Sequence, residues 1–315
     1  MVDVISIGEM LVDITRKERD APHTVPSIYL GPNPGGAPAI FADSVARLGL
    51  SVSFLGCVGK DDFGELLLNR FKSDGVDVSG IRVLEGYTTG IAFVAYFRDG
   101  SRRFVFNLRY SASGFLSSDM VSEELFQGAK LLHISGSSLA ISDRLRESCI
   151  KALRLARDYG LKVSFDPNLR LELAPLEKWK ELIKPFSEAD IICPSLEDAS
   201  ALTGLKDPWE VAESFEAEVV AVKLGRGGSI ALWSGRRYEQ PAFLVEEVDP
   251  TGAGDVYDAA LAVAYLKRLP PQEALKLANA AAAIKVSRKG SMEGPRLREV
   301  LDFLKKRGHE LKGLK

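Results

Sequence analysis

The sequence predicts an α/β protein: a mostly parallel central sheet covered by helices on both faces, with a small extra sheet outside it. Three observations carry this reading. Short apolar strand candidates alternate with helical stretches along most of the 315 residues, the pattern of parallel sheets packed in layers. Two stretches, about 14–31 and 88–106, hold β-type segments with no helix between them. From residue 253 onward the chain is rich in helix-forming small residues.

In chain order, residues 4–7 form the first strand and residues 37–48 a helix with small and apolar residues on one face. Residues 52–58 are strand-like and 63–71 helical. Apolar strands recur at 131–134, 163–165, 191–192 and 219–222, with helices at 144–157 and 176–186 between them. In the second β-only stretch, GIAFVAYF and RRFVFNL flank the turn Asp99-Gly100, a hairpin signal. We read the two β-only stretches as a separate small lid, rather than as an extension of the main sheet. Near the end, AALAVAYL and the four alanines 280–283 predict helices that pack closely. The chain reads as one catalytic domain spanning 1–315. Its charged GHELKGLK end is expected to fray.

Composition narrows the function classes. The 41 basic and 43 acidic residues leave a formal charge of −2, so no nucleic-acid partner is expected. Cys57, Cys149 and Cys193 show neither metal spacing nor a disulfide framework, and a reducing cytoplasm is the simplest compartment. The N-terminus has no positive region, long apolar run or cleavage site. No apolar stretch approaches the roughly 18 residues of a membrane span.

The string Asp249-Pro250-Thr251-Gly252-Ala253-Gly254-Asp255 carries the chemistry. It follows the strand-like LVEEV and opens a helix. Glycines let backbone approach a ligand. Free N–H groups at a helix start form an anion site, here Gly252, Ala253 and Gly254. Phosphoryl transfer needs such a site for the charge on the transferring oxygens. An alcohol nucleophile also needs a proton acceptor, and Asp255 is the carboxylate at that position.

This string resembles the signature of the ribokinase-like carbohydrate kinases, usually Asp-Thr-Thr-Gly-Ala-Gly-Asp. Pro250 replaces one Thr, and Tyr257 stands where Phe is usual. Gly35-Gly36-Ala37-Pro38-Ala39 and the later Gly56-to-Gly64 stretch are similar to the family's N-terminal elements, although Ile40 replaces an expected Asn. The resemblance implies a three-layer sandwich with a β lid. It also implies ATP-dependent transfer to a sugar hydroxyl, with Asp255 as base. Sugar contacts fall to Asp13, Gly35, Gly36, Arg109 and Arg170, the last from Asp166-Pro167-Asn168-Leu169-Arg170. The nucleotide falls to Lys223, Gly225, Gly228 and Asn279. Magnesium falls to Glu197 through water, with Pro194 where an Asn is usual. The stretch around Asp249, Thr251, Lys285 and Ser291 would bind a monovalent cation such as K⁺, chiefly through backbone oxygens. A lid with an exposed face would allow two copies to pair.

For the acceptor, the resemblance is nearest to 2-keto-3-deoxygluconate kinases and fructokinases. Arg109 and Arg170 would suit a carboxylate. The segments Tyr110-Ser111-Ala112-Ser113 and His133-Ile134-Ser135-Gly136 also look like those of the keto-acid kinases. The keto acid is therefore the first expectation and fructose the alternative. Against the keto acid, Leu108 holds the usual arginine position, and a one-residue shift turns a strand side chain to the opposite face. A non-catalytic sugar or nucleotide sensor is the other alternative, disfavoured by the presence of Asp255. No P-loop, dinucleotide fingerprint or serine-hydrolase elbow occurs.

Overall fold

The computed structural model describes residues 2–98 and 101–313. The chain opens with β1 (Val4–Ile7), β2 (Leu11–Arg16), β3 (Tyr29–Gly35) and α1 (Ala37–Arg47). Next come β4 (Val52–Gly59), α2 (Asp62–Asp74), β5 (Ile81–Leu84), β6 (Gly90–Tyr96) and β7 (Arg102–Asn107). The middle holds β8 (Leu131–Ser135), α3 (Gly136–Leu139), α4 (Asp143–Asp158), β9 (Lys162–Asp166) and α5 (Leu176–Leu182). It continues through β10 (Ile191–Ile192), α6 (Leu196–Thr203), α7 (Pro208–Glu213), β11 (Val219–Lys223), β12 (Ser229–Trp233) and β13 (Arg236–Gln240). Three helices close the chain: α8 (Ala253–Leu266), α9 (Pro271–Val286) and α10 (Leu297–Lys306).

Among the described residues, nine strands form the main sheet in the order β13-β12-β11-β10-β9-β8-β1-β4-β5. All its pairings are parallel except those of β12 and β13. Neighbouring residues on these strands alternate between two cores, as the period of two requires. Val4, Leu131, Ile191 and Val219 join the core under α1, α2, α8 and α9. Ile5, Leu132, Val163 and Ile192 join the core under α4 and α5. Val220 and Val222 complete the second face under α6 and α7. The three layers follow directly from strands that are apolar on both sides.

A second sheet of four strands, ordered β3-β2-β6-β7, stands apart from the main one. Its central pair, β2 and β6, is parallel, and the outer pairs are antiparallel. Pro32 and Pro34 sit on its edge strand β3, where a missing N–H costs no ladder bond. The β6–β7 register closes from Tyr96 opposite Arg102, and the expected turn Asp99-Gly100 lies outside the described residues.

Several elements differ from expectation. The helix expected at 176–186 stops at Leu182, because Pro185 supplies no N–H to continue it. The LVEEV segment at 244–248 is not a strand: no neighbour offers it a ladder, and Leu244 is 83% exposed. The edge strands β5 and β13, and β12 inside the latter, were not anticipated. The strand at β2 begins at Leu11, ahead of the expected 14.

Candidate active site

Strand order reverses between β1 and β8, which lie side by side although β4 and β5 intervene in sequence. A crevice opens at the carboxyl ends of parallel strands at such a point. Glu9 follows β1, Ser137 follows β8, Asp166 ends β9 and Lys223 ends β11. The crevice therefore collects polar groups from four separate strands.

The α8 N-terminus enters this crevice. Gly252 is its N-cap, with φ 80° and no side-chain cap. A Cβ at Gly252 would collide with the carbonyl oxygen of Ser291, so both space and backbone angle demand glycine here. Among the described residues, the N–H groups of Gly254 and Asp255 meet no backbone acceptor. Free donors and the positive helix end together form an anion site. The half-buried Asp255 accepts from Asn168 Nδ2 at 3.3 Å. Burial, followed by the nearby Asp166 carboxylate, pushes the Asp255 pKa up to about 7, against the pull of Lys223 and Arg170. Near neutral pH such a carboxylate is poised to accept a proton.

On one side of Asp255 lies a narrow pocket lined by Glu9, Asp13, Gly36, Ile40, Arg102 and Arg170, roofed by Phe104 and Phe106 of β7. Asp13 is buried and accepts a hydrogen bond from Ser291 Oγ. Burial raises its pKa to about 7, with Asp249 and Asp255 adding to the rise. A Cβ on Gly35 would collide with the Asp13 carboxylate, so Gly35 makes room for Asp13 while Gly36 lines the pocket. Ile40, in place of the expected Asn, presents an apolar wall. Glu9 accepts from Ser137 Oγ at 2.7 Å and from Ser138 at 2.5 Å, and burial raises its pKa. Its pocket position was not foreseen.

The arginines are separated by the end of β7. Arg102, Phe104 and Phe106 alternate along β7 and face the pocket, and Leu108 continues the same face. Arg109 lies beyond the end of β7, in the turn closed by the Ser111 N–H on the Leu108 carbonyl, and its Nε donates to the carbonyl of Ile141 at 3.2 Å, outside the pocket. The expectation that Arg109 lines the sugar pocket is therefore corrected: the turn after β7 carries its side chain to Ile141. Arg102 lines the pocket, and the sequence reading did not single it out. Arg170 lines the pocket and lies over the Phe104 ring, 5.6 Å from its centroid. His133, by contrast, is a core residue. It stacks on Phe41 at 3.6 Å, and burial lowers its pKa to about 3.

On the other side of Asp255 a wider groove is lined by Asp166, Asn168, Glu197, Asp198, Lys223 and Gly254. Lys223 Nζ lies 2.9 Å from Asp166 and 3.0 Å from Asp258. Burial disfavours this ammonium, but the two carboxylates outweigh that and raise its pKa well above the ordinary value. The carboxylate oxygens of Asp166, Asp255 and Asp258 lie within 4.8 Å of one another. The ammonium inside this cluster is what makes it tolerable. Beyond Gly225 and Gly228 the groove becomes a largely apolar cleft walled by Phe243, Leu244, Tyr257, Ala282 and Val286. Asn279 lies at its base, with Nδ2 donating to Ser229 Oγ at 2.7 Å and to the Leu275 carbonyl. The non-strand segment at 244–248 thus serves as cleft wall.

The small sheet reaches the same site. Tyr96 of β6 donates to Asp249 Oδ1 at 2.9 Å and contacts Thr251 Oγ1. One carboxylate thereby connects the outer sheet to the loop that starts α8.

The profile of the pfkB family carbohydrate kinases matches residues 1–297 of this chain. The chain belongs to that family. It is a kinase that transfers a phosphoryl group to a sugar hydroxyl. The protein named probable fructokinase-2 from Arabidopsis thaliana is 35% identical over 318 residues, covering 96% of this chain and 95% of the relative. A putative ribokinase II from E. coli, solved with ATP and Mg²⁺, is 37% identical with a TM-score of 0.89, covering 97% of this chain and all of that one. A fructokinase double mutant from Vibrio cholerae O395, solved with fructose, ADP and potassium, is 28% identical with a TM-score of 0.83. That match covers 96% of this chain and 98% of the other. No helix among the described residues is long and apolar enough to cross a membrane.

Proposed function

We propose that this chain is an ATP-dependent fructokinase in which Asp255 takes the proton from the attacking sugar hydroxyl. The observation that carries the reading is the double exposure of Asp255: it lines both the narrow polar pocket and the wider groove. Fructose would bind in the pocket, with Asp13 accepting from its hydroxyls and Arg102 and Arg170 donating to them. ATP would lie along the groove, its base in the apolar cleft near Asn279 and its phosphates beside Lys223, Gly225 and Gly228. The γ-phosphate would meet the N–H groups of Gly252, Gly254 and Asp255, since that of Ala253 donates to the Pro250 carbonyl at 3.2 Å. The sugar oxygen attacks the γ-phosphorus, the bond to the β–γ bridging oxygen breaks, ADP leaves, and the hydroxyl proton passes to Asp255.

The donor set suits a hard divalent cation, because the Glu197 and Asp198 carboxylates line the groove beside Gly225 and Gly254. Magnesium would be held there through water by Glu197, and when bound it neutralises charge on the nucleotide phosphates. The small sheet would act as a lid that excludes water. The outer face of that lid, where Val105 is 52% exposed, would pair two copies. Three free buried cysteines suit a reducing cytoplasm.

The sequence reading placed 2-keto-3-deoxygluconate first and fructose second. The fructokinase relatives and the position of Arg109 outside the pocket support the reverse order. The test is ATP-dependent phosphorylation of fructose, 2-keto-3-deoxygluconate, ribose and adenosine, compared by kcat/KM. Fructose should lead by at least tenfold. A higher value for any other member would overturn the acceptor, and absence of turnover with all four would overturn the fructokinase reading itself.

A further inference from the structure

Lys285 stands in the last turn of α9 and is fully buried. Among the described residues its ammonium makes no direct ion pair. Its Nζ instead donates to the backbone carbonyls of Asp249, at 2.8 Å, and Arg288, at 3.4 Å. A buried charge must recover its lost hydration from fixed oxygens, and here carbonyl dipoles supply them, as they would for a bare monovalent cation. Around this point two loops close on each other. The N–H groups of Val248 and Asp249 both donate to the carbonyl of Val286. The Asp249 carboxylate accepts from the N–H groups of Thr251 and Gly290, each at 3.0 Å. Burial alone would raise the Asp249 pKa, but the Lys285 charge and these two N–H groups hold it below the usual range.

The sequence resemblance implied a potassium site in this same stretch. The residues present do not fit one: the ammonium already occupies the carbonyls that would have to bind the ion. We propose that Lys285 is a built-in monovalent cation, a positioning residue that holds the Asp249 and Arg288 carbonyls together and fixes the loop delivering the α8 N-terminus, so that no dissolved potassium is required. The link to chemistry is short. Asp249 precedes Gly252 by three positions, Ser291 bonds to Asp13, and Gly252 packs on the Ser291 carbonyl. Burial lowers the Lys285 pKa to about 8 against the attraction of Asp249, Glu293, Asp255 and Asp13, which leaves the ammonium charged at neutral pH.

The kinetic side of this inference rests on the kinase reading, so its primary test is independent of turnover. Melting temperatures of the full chain are measured in KCl, NH₄Cl and tetramethylammonium chloride at equal ionic strength. Wild type should melt within about 1 °C in all three, whereas binding at 100-fold above Kd would raise Tm by roughly 4 °C. Lys285→Ala should melt lower and gain a saturable rise with K⁺ or NH₄⁺ that tetramethylammonium does not give. With an active substrate, wild-type kcat should change less than twofold with K⁺, while the variant should lose at least tenfold and recover it on K⁺ addition. A saturable K⁺-specific rise in wild-type Tm overturns the inference, as does a variant with wild-type kcat in K⁺-free buffer. Should Lys285→Ala fail to fold, the wild-type potassium titration decides alone.

Discussion

Asp255 unites two properties that a base needs: a place at the junction of pocket and groove, and a pKa raised to about 7 by burial and Asp166. Asp255→Asn should lower kcat by about 10²–10⁴, with ATP affinity by calorimetry changed only a few-fold. Turnover at the wild-type rate would refute the base assignment. Because the base must be ionised, kcat/KM should climb about tenfold per pH unit below an apparent pKa near 7 and level off above it. Asp13 is raised to the same range, so the transition belongs to the coupled pair; the limb should persist in Asp13→Asn and vanish in Asp255→Asn. Stability has the opposite sign. A carboxyl whose folded pKa exceeds its unfolded value contributes fully below about pH 4 and loses that contribution as pH rises through about 7. Asp255→Asn should therefore melt higher than wild type at pH 8, and close to wild type at pH 4.

At the scale of the element, the end of β7 decides which arginine lines the pocket. Arg102 stands on β7 with Phe104 and Phe106 and lines the pocket, whereas Arg109 lies in the turn after the strand and bonds to Ile141. Arg102→Ala should raise the fructose KM by about tenfold, the weight of one charge-assisted hydrogen bond, and Arg109→Ala should leave it unchanged. Equal effects from the two would mean that Arg102 makes no sugar contact of its own. The end of β11 offers a second case. Lys223→Met would strand the Asp166 and Asp258 carboxylates, and losing one partner of a buried pair costs about 3–5 kcal/mol. Urea unfolding should show that loss, and adding Asp258→Asn should restore part of it. Helix and strand types at 37–48, 52–58 and 131–134 were legible from periodicity. The edge strand β13 was not, because RRYEQ is largely exposed and polar and its pairing comes from a neighbour.

For the whole molecule, the consequential contact is between the small sheet and the loop before α8. Tyr96 makes it through Asp249 and Thr251, 153 and 155 residues away in the chain. If the small sheet acts as the proposed lid, removing the hydroxyl should loosen it without removing a residue of the pocket lining. Tyr96→Phe is expected to raise ATP hydrolysis in the absence of sugar several-fold relative to sugar phosphorylation, measured as ADP formed against sugar phosphate formed. An unchanged ratio would argue that the small sheet docks independently of this bond.

The layered α/β architecture, the glycine-rich helix start and the candidacy of Asp255 were readable from the chain, because each rests on local pattern: apolar runs of strand length, small residues, and glycines where backbone must approach a ligand. The family resemblance added Asp13, Gly36 and Arg170, which line the pocket, and Lys223, Gly225, Gly228 and Asn279, which line the neighbouring cleft. Which arginine faces the pocket, which carboxylates Lys223 neutralises, and what Lys285 holds were decided only by the tertiary structure. Those outcomes depend on where strands end in a sheet whose register is set by non-local pairing, and on burial, which turns carbonyls and carboxylates distant in sequence into the solvent of a charge. Glu9 shows the same limit. Beside β1 in sequence it is one acidic residue among 43 acidic residues, and only the arrival of Ser137 and Ser138 from β8 makes it part of the pocket wall.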